Sequence, residues 1–77
     1  MTYAERLRFE KLVARVHRAG WNLSRHVTGP FVLELEFYRP ETSSRKVLRS
    51  EAASFLMRLV DIEQQVDAWL LTPQDGS

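Results

Sequence analysis

The stretch Phe31-Val32-Leu33-Glu34-Leu35-Glu36-Phe37-Tyr38 alternates without a break. Successive side chains of a strand point to opposite faces, so this pattern predicts a half-buried strand with Phe31, Leu33, Leu35 and Phe37 turned inward. Upstream, Trp21, Leu23 and Val27 alternate with Asn22, Ser24 and His26, and Thr28-Gly29-Pro30 interrupts the run between the two segments. The two strands should form a hairpin. A three-residue loop pairs Val27 with Phe31, Leu23 with Leu35 and Trp21 with Phe37, whereas a two-residue loop would set the apolar face against the acidic one. Downstream of Arg39-Pro40, residues Glu41 to Ser44 read as a turn and 45–49 as a short third strand, with Val47 beside Phe37. Lys46 and the arginines there suit a sheet edge, where charge discourages pairing with foreign strands.

Helical periodicity flanks these strands. From Thr2 to Ala19 the residues Phe9, Leu12, Val13, Val16 and Ala19 share one stripe, and Gly20 supplies a stop. Tyr3, Leu7 and Ala14 lie on another side, with a basic ridge of Arg8, Lys11, Arg15 and Arg18 between. After Ser50, a suitable N-cap followed by Glu51, a second helix is expected to run to about Leu71, ahead of Pro73. Its main stripe is Ala52, Phe55, Leu56, Leu59, Ile62, Val66, Trp69 and Leu70; Ala53, Met57, Val60 and Leu71 form a second one. The fold class is therefore α+β, a single small domain over 1–71 in the order α-β-β-(β)-α. An antiparallel sheet of two or three strands packs with two helices, and a polar tail follows at 72–77.

The chain has 77 residues, of which 44% are hydrophobic, and no cysteine. That length holds one domain, and the composition removes disulfides and thiolate chemistry. Uninterrupted apolar runs such as Phe31 to Leu33 fall far short of the roughly 20 residues that cross a bilayer, so no membrane contact is expected. No basic segment followed by an apolar one opens the chain, and a cytoplasmic location is the expectation. The net charge of +1 hides an asymmetry: residues 1–30 hold six Lys/Arg against two acids, and residues 51–77 hold one against five. Such halves can complement each other within one fold or attract charged partners.

Catalytic and metal-binding patterns are thin. Ser24 and His26 sit two residues apart without an acidic partner or an oxyanion loop, which does not make a nucleophilic site. His17, His26, Glu34 and Glu36 offer metal-ligating side chains but no diagnostic spacing. The three glycines build no phosphate loop. No enzyme activity and no cofactor are expected. Glu63 stands beside Leu59, Val66 and Leu70 on an apolar stripe, where a carboxylate needs a basic partner on the first helix or a place in an interface.

The order helix, three strands, helix, with Gly29-Pro30 in the first strand connection, resembles the double-stranded RNA-binding domain. Where that family usually carries a histidine two positions after its Gly-Pro, this chain has Val32, and Arg49-Ser50-Glu51 replaces its lysine cluster. The resemblance implies phosphate contacts, for which Arg45, Lys46 and Arg49 are candidates, as are Arg8, Lys11, Arg15 and Arg18 of the ridge. A protein partner, or a second copy of the chain, is the leading expectation. The two helices carry more apolar stripe than one thin core can hide, and Val32, Tyr38 and Leu48 are expected on the outer sheet face. Tyr3, Leu7, Tyr38, Met57, Val60 and Glu63 are the candidate interface residues. In character the chain is similar to phage-encoded inhibitors such as anti-CRISPR proteins, which act by covering a surface of a larger partner. In that role Glu34, Glu36, Asp61, Glu63 and Asp67 would occupy a groove that otherwise holds phosphate.

Overall fold

Thr2 starts the first helix. Its hydroxyl accepts the Glu5 N–H at 3.1 Å while the Glu5 carboxylate accepts the Thr2 N–H at 2.8 Å, so two of the free donors at the helix start are satisfied. A computed structural model describes residues 1–71, leaving the expected tail at 72–77 outside the described residues. Its elements are α1 (Tyr3–Arg18), β1 (Asn22–Thr28), β2 (Val32–Arg39), β3 (Ser44–Glu51) and α2 (Phe55–Leu71). Gly20 takes φ +97°, a left-handed conformation that glycine adopts without a Cβ clash, and the chain turns there into Trp21.

The strands form one antiparallel sheet in the order β1-β2-β3. Leu33, Leu35 and Phe37 are fully buried, as the alternation requires. Phe31 is not. It lies exposed in the β1–β2 turn, where its carbonyl accepts the Ala52 N–H at 3.0 Å.

The register of the hairpin differs from the parity argument. Leu23 opposes Phe37, the pairing shifts at Ser24, and from there Arg25 opposes Glu36, His26 opposes Leu35 and Val27 opposes Glu34. A β-bulge at Ser24 is the cause. The extra residue reverses which side chains face inward, so His26 takes the inner face and Val27 the outer one. Ser24 is fixed by its own hydroxyl, which donates to the Glu36 carbonyl at 3.0 Å. Deleting Ser24 should therefore leave Leu23 and Arg25 each on its present face in a regular ladder. We expect a cost of about 1 kcal/mol in thermal melts, with the Leu23–Phe37 proton contact retained in NMR spectra. Deleting Val27, beyond the bulge, should instead scramble the hairpin.

The third strand is a full one, and its parity is also opposite to expectation. Lys46 opposes Phe37 and Leu48 opposes Leu35, which buries Leu48 and leaves Val47 on the outer face. Ser50 belongs to this strand and is buried there. The cap of α2 is Ser54, whose hydroxyl accepts the Met57 N–H at 3.4 Å while its carbonyl accepts the Arg58 N–H at 3.1 Å.

Both helices cover the inner face of the sheet. Phe9 of α1 stacks on His26 with 4.9 Å between ring centres, and Trp69 of α2 lies 6.0 Å from Phe37 and 4.9 Å from Trp21. Leu12, Val16, Leu59, Ile62 and Val66 complete the core between these rings. The outer face of the sheet carries no element among the described residues.

Arg58 is a buried cation, 5% exposed, in the first turn of α2. Its Nη1 donates to the carbonyls of Gly29 and Val32 at 2.7 and 2.8 Å, and its Nε to that of Ser54 at 3.3 Å. The guanidinium thus ties the start of α2 to the β1–β2 turn. That turn tolerates little added bulk, since a Cβ on Gly29 would come within 2.9 Å of Val32 Cγ1.

Candidate interaction surface

The helices meet along a seam of opposite charges. Arg8 Nε donates to both carboxylate oxygens of Glu63, at 2.7 and 2.9 Å, and Arg15 pairs with Asp67 one to two turns further on. The hydrogen bond to Glu63, followed by the carboxylate's charge, raises the Arg8 pKa above its ordinary value, so the guanidinium stays charged in any usual buffer. Glu63 thereby has the basic partner on the first helix that its place on an apolar stripe demands. The basic front and acidic back of the sequence neutralise each other here, inside one chain. Because the pairs are solvent-accessible, the Arg8–Glu63 coupling should fade as salt is raised, which a double-mutant cycle with Arg8→Met and Glu63→Gln at low and high ionic strength checks.

Two cations of the ridge are not used this way. Lys11 and Arg18 make no ion pair among the described residues and lie exposed. They share a stripe with Tyr3, Leu7 and Ala14, at helical spacings of four, four, three and four, on the side of α1 opposite Leu12 and Val16. Tyr3 is 81% exposed and Leu7 40%. On α2 the corresponding outward stripe holds Met57, Asp61, Gln64 and Leu71, all exposed, with Met57 at 63%. Val60 is half-buried, and Leu56, expected in the core stripe, is exposed at the start of α2. Five of the six candidate interface residues, Tyr3, Leu7, Met57, Val60 and Glu63, are thus brought to the helical side of the molecule. Tyr38 is not, since it lies on the outer sheet face with Val27, Val32 and Val47.

The cations of 45–49 are divided. Arg45 and Arg49 stand on the outer sheet face, paired with Glu36 at 3.2 Å and with Glu51 at 3.1 Å, and Arg49 also approaches Glu34 at 3.9 Å. Lys46 points the other way, its Nζ 5.7 Å from the centre of the Trp69 ring. With Arg8 and Arg15 in the seam and Lys11 and Arg18 on the outward stripe, the seven proposed phosphate contacts fall in four separate places, and four of the seven are occupied by carboxylates.

The polar side chains that chemistry would need are likewise engaged in structure. His17 Nδ1 lies 3.0 Å from Asn22 Oδ1, and His26 Nε2 lies 2.7 Å from the Thr28 hydroxyl. Glu34 and Glu36 are on the opposite sheet face from His26. An open groove of about 500 Å³ runs between α1 and β1, walled by Phe9, Val13, Ala14 and Leu23. Sequence reading missed it, because it depends on the spacing between helix and strand. Arg58 was missed too, although it is the only basic residue after position 50.

These features define a small two-layer α+β domain, with two helices on one face of a three-stranded antiparallel sheet and an outer helical surface that is apolar and two-signed. Comparison with protein-family models, curated proteins and solved structures gives no match. No helix among the described residues is long and apolar enough to cross a membrane.

Proposed function

We propose that this domain is a non-enzymatic protein-interaction module that works by covering a surface of another polypeptide with the outer side of its two helices. One observation carries the reading. With the core closed around Leu33, Leu35, Phe37 and Trp69, Tyr3, Leu7, Leu56 and Met57 remain exposed on the helical side. Apolar and aromatic side chains on one surface, rimmed by Lys, Arg and Asp, are what protein interfaces concentrate. The same geometry favours protein over nucleic acid as the target, because four of the five arginines that would neutralise phosphates are already held by Glu63, Asp67, Glu36 and Glu51.

The test compares the tagged chain with Leu7→Glu and Met57→Glu as bait in extracts of its source cells, with a nuclease-treated parallel. Burying a carboxylate at either site should cost about 2 kcal/mol, roughly a thirtyfold loss of capture, with helical circular dichroism unchanged. Bound material that survives both substitutions, or that disappears with nuclease, would remove the proposal. Tight, salt-dependent binding of duplex DNA or RNA, weakened by Lys11→Glu and Arg18→Glu, would replace it with the nucleic-acid reading.

A further inference from the structure

The two outward helical stripes are alike in shape and opposite in charge. On α1 the stripe opens with Tyr3 and Leu7 and carries Lys11 and Arg18; on α2 it opens with Met57 and carries Asp61. None of Lys11, Arg18 and Asp61 has an oppositely charged partner among the described residues, and Asp61 accepts only the Gln65 amide at 3.3 Å. Arg8 pairs with Glu63 and Arg15 with Asp67, so residue numbers rise together along the two helices, which run in the same general direction.

A two-fold axis parallel to the helices would therefore lay α1 of one copy along α2 of another, and α2 along α1, without reversing either. On the levels set by Arg8–Glu63 and Arg15–Asp67, Lys11 of each copy then lies within about one turn of Asp61 of the other, and each apolar start meets another. Resting on the interaction reading above, we propose that the partner of this surface is a second copy of the chain, joined through helices α1 and α2 in a four-helix layer with the two sheets outside.

Charge decides among the possible occupants. A polyphosphate would meet Asp61 and the half-exposed Asp67 beside the cations, and an all-basic partner would meet Lys11 and Arg18. A surface with both signs on adjacent parallel stripes is matched by its own two-fold image. Its size is sufficient. Helices of 16 and 17 residues are about 24 Å long. Side by side they span about 20 Å, giving a footprint of roughly 500 Å² per copy and about 1,000 Å² for the pair, the lower bound for a specific interface.

The experiment is sedimentation equilibrium of the full chain from about 1 µM to about 1 mM, with two charge variants. The first carries Lys11→Glu and Arg18→Glu, and the second carries Asp61→Lys. Wild type should form dimers, and the first variant should associate at least tenfold more weakly. The second variant should also weaken, while an equimolar mixture of the two should dimerise as well as wild type, because only the mixed pair sets opposite charges together on both seams. Leu7→Glu and Val60→Glu should both be folded monomers. A wild type that stays monomeric to about 1 mM overturns the second copy as partner, and leaves the interaction reading to be judged by capture of another protein. Dimers unaffected by the charge variants, or a mixture that fails to dimerise while wild type does, overturn the pairing of α1 with α2.

Discussion

Replacing Arg58 by methionine is expected to destabilise the domain by about 3 kcal/mol, although it removes a charge from the interior. Methionine fills much of the same space and is a good helix former, so neither a large cavity nor helix propensity explains the loss. The cost arises in the β1–β2 turn. The carbonyls of Gly29 and Val32 accept from Arg58 Nη1; without it the Val32 carbonyl keeps the Gly29 N–H at 2.9 Å, but the Gly29 carbonyl is left short of a partner close to the core, at about 1–3 kcal/mol. A domain of this length has roughly 4–12 kcal/mol of total stability, so one substitution removes a large share. Arg58→Lys should recover part of it, since an ammonium reaches one carbonyl but cannot fork to both. Urea titration should show a lower midpoint with unchanged slope, and the deficit should be insensitive to salt because no exposed ion pair is involved. A loss below about 1 kcal/mol would show that the turn relaxes to water without the clamp.

That dependence on one arginine could not be found by periodicity. In the sequence Arg58 is a polar residue amid apolar ones, and its burial follows from the turn that arrives beneath it from 26 residues away. The inner face of β2 was legible because Leu33, Leu35 and Phe37 sit in the central strand, where every residue is paired and alternation cannot slip. On the edge strands, the inward reading holds for Trp21 and for Leu23 of β1, while the rest of β1 and all of β3 have the opposite parity. On β1 the bulge at Ser24 adds a residue that parity counting assumes absent, and on β3 the turn through Ser43, at φ 54°, places Lys46 rather than Val47 opposite Phe37. Of the candidate site, the exposed apolar positions Tyr3, Leu7 and Met57 could be read from stripes that one core cannot cover. The fate of the charges could not. Whether Arg8 and Arg15 face a partner or the acids of α2 depends on how the helices lie side by side, which composition does not encode.

The second large effect concerns Trp69, which fixes the far end of the interaction surface. Its ring meets Trp21 edge-on, lies near Phe37, and carries Lys46 over its face. Trp21 in turn lies 5.9 Å from the Arg39 guanidinium, so one cluster joins α2, the α1–β1 connection and the last residue of β2. Trp69→Ala should cost about 3–5 kcal/mol through lost burial and a cavity that helix and sheet cannot both close. That loss is comparable to the total stability, and the variant should be largely unfolded near 37 °C. Trp69→Phe keeps a ring on Phe37 and should cost about 1–2 kcal/mol, with Trp21 then the sole reporter of indole fluorescence. The pair separates stability from recognition. Trp69→Phe should dimerise as wild type does when folded, because its side chain is buried behind the outward stripes, whereas Leu7→Glu should lose association with little change in melting temperature. If Trp69→Phe abolished association while remaining folded, the surface that recognises a partner would have to extend to the C-terminal end of α2 rather than centre on Tyr3, Leu7 and Met57.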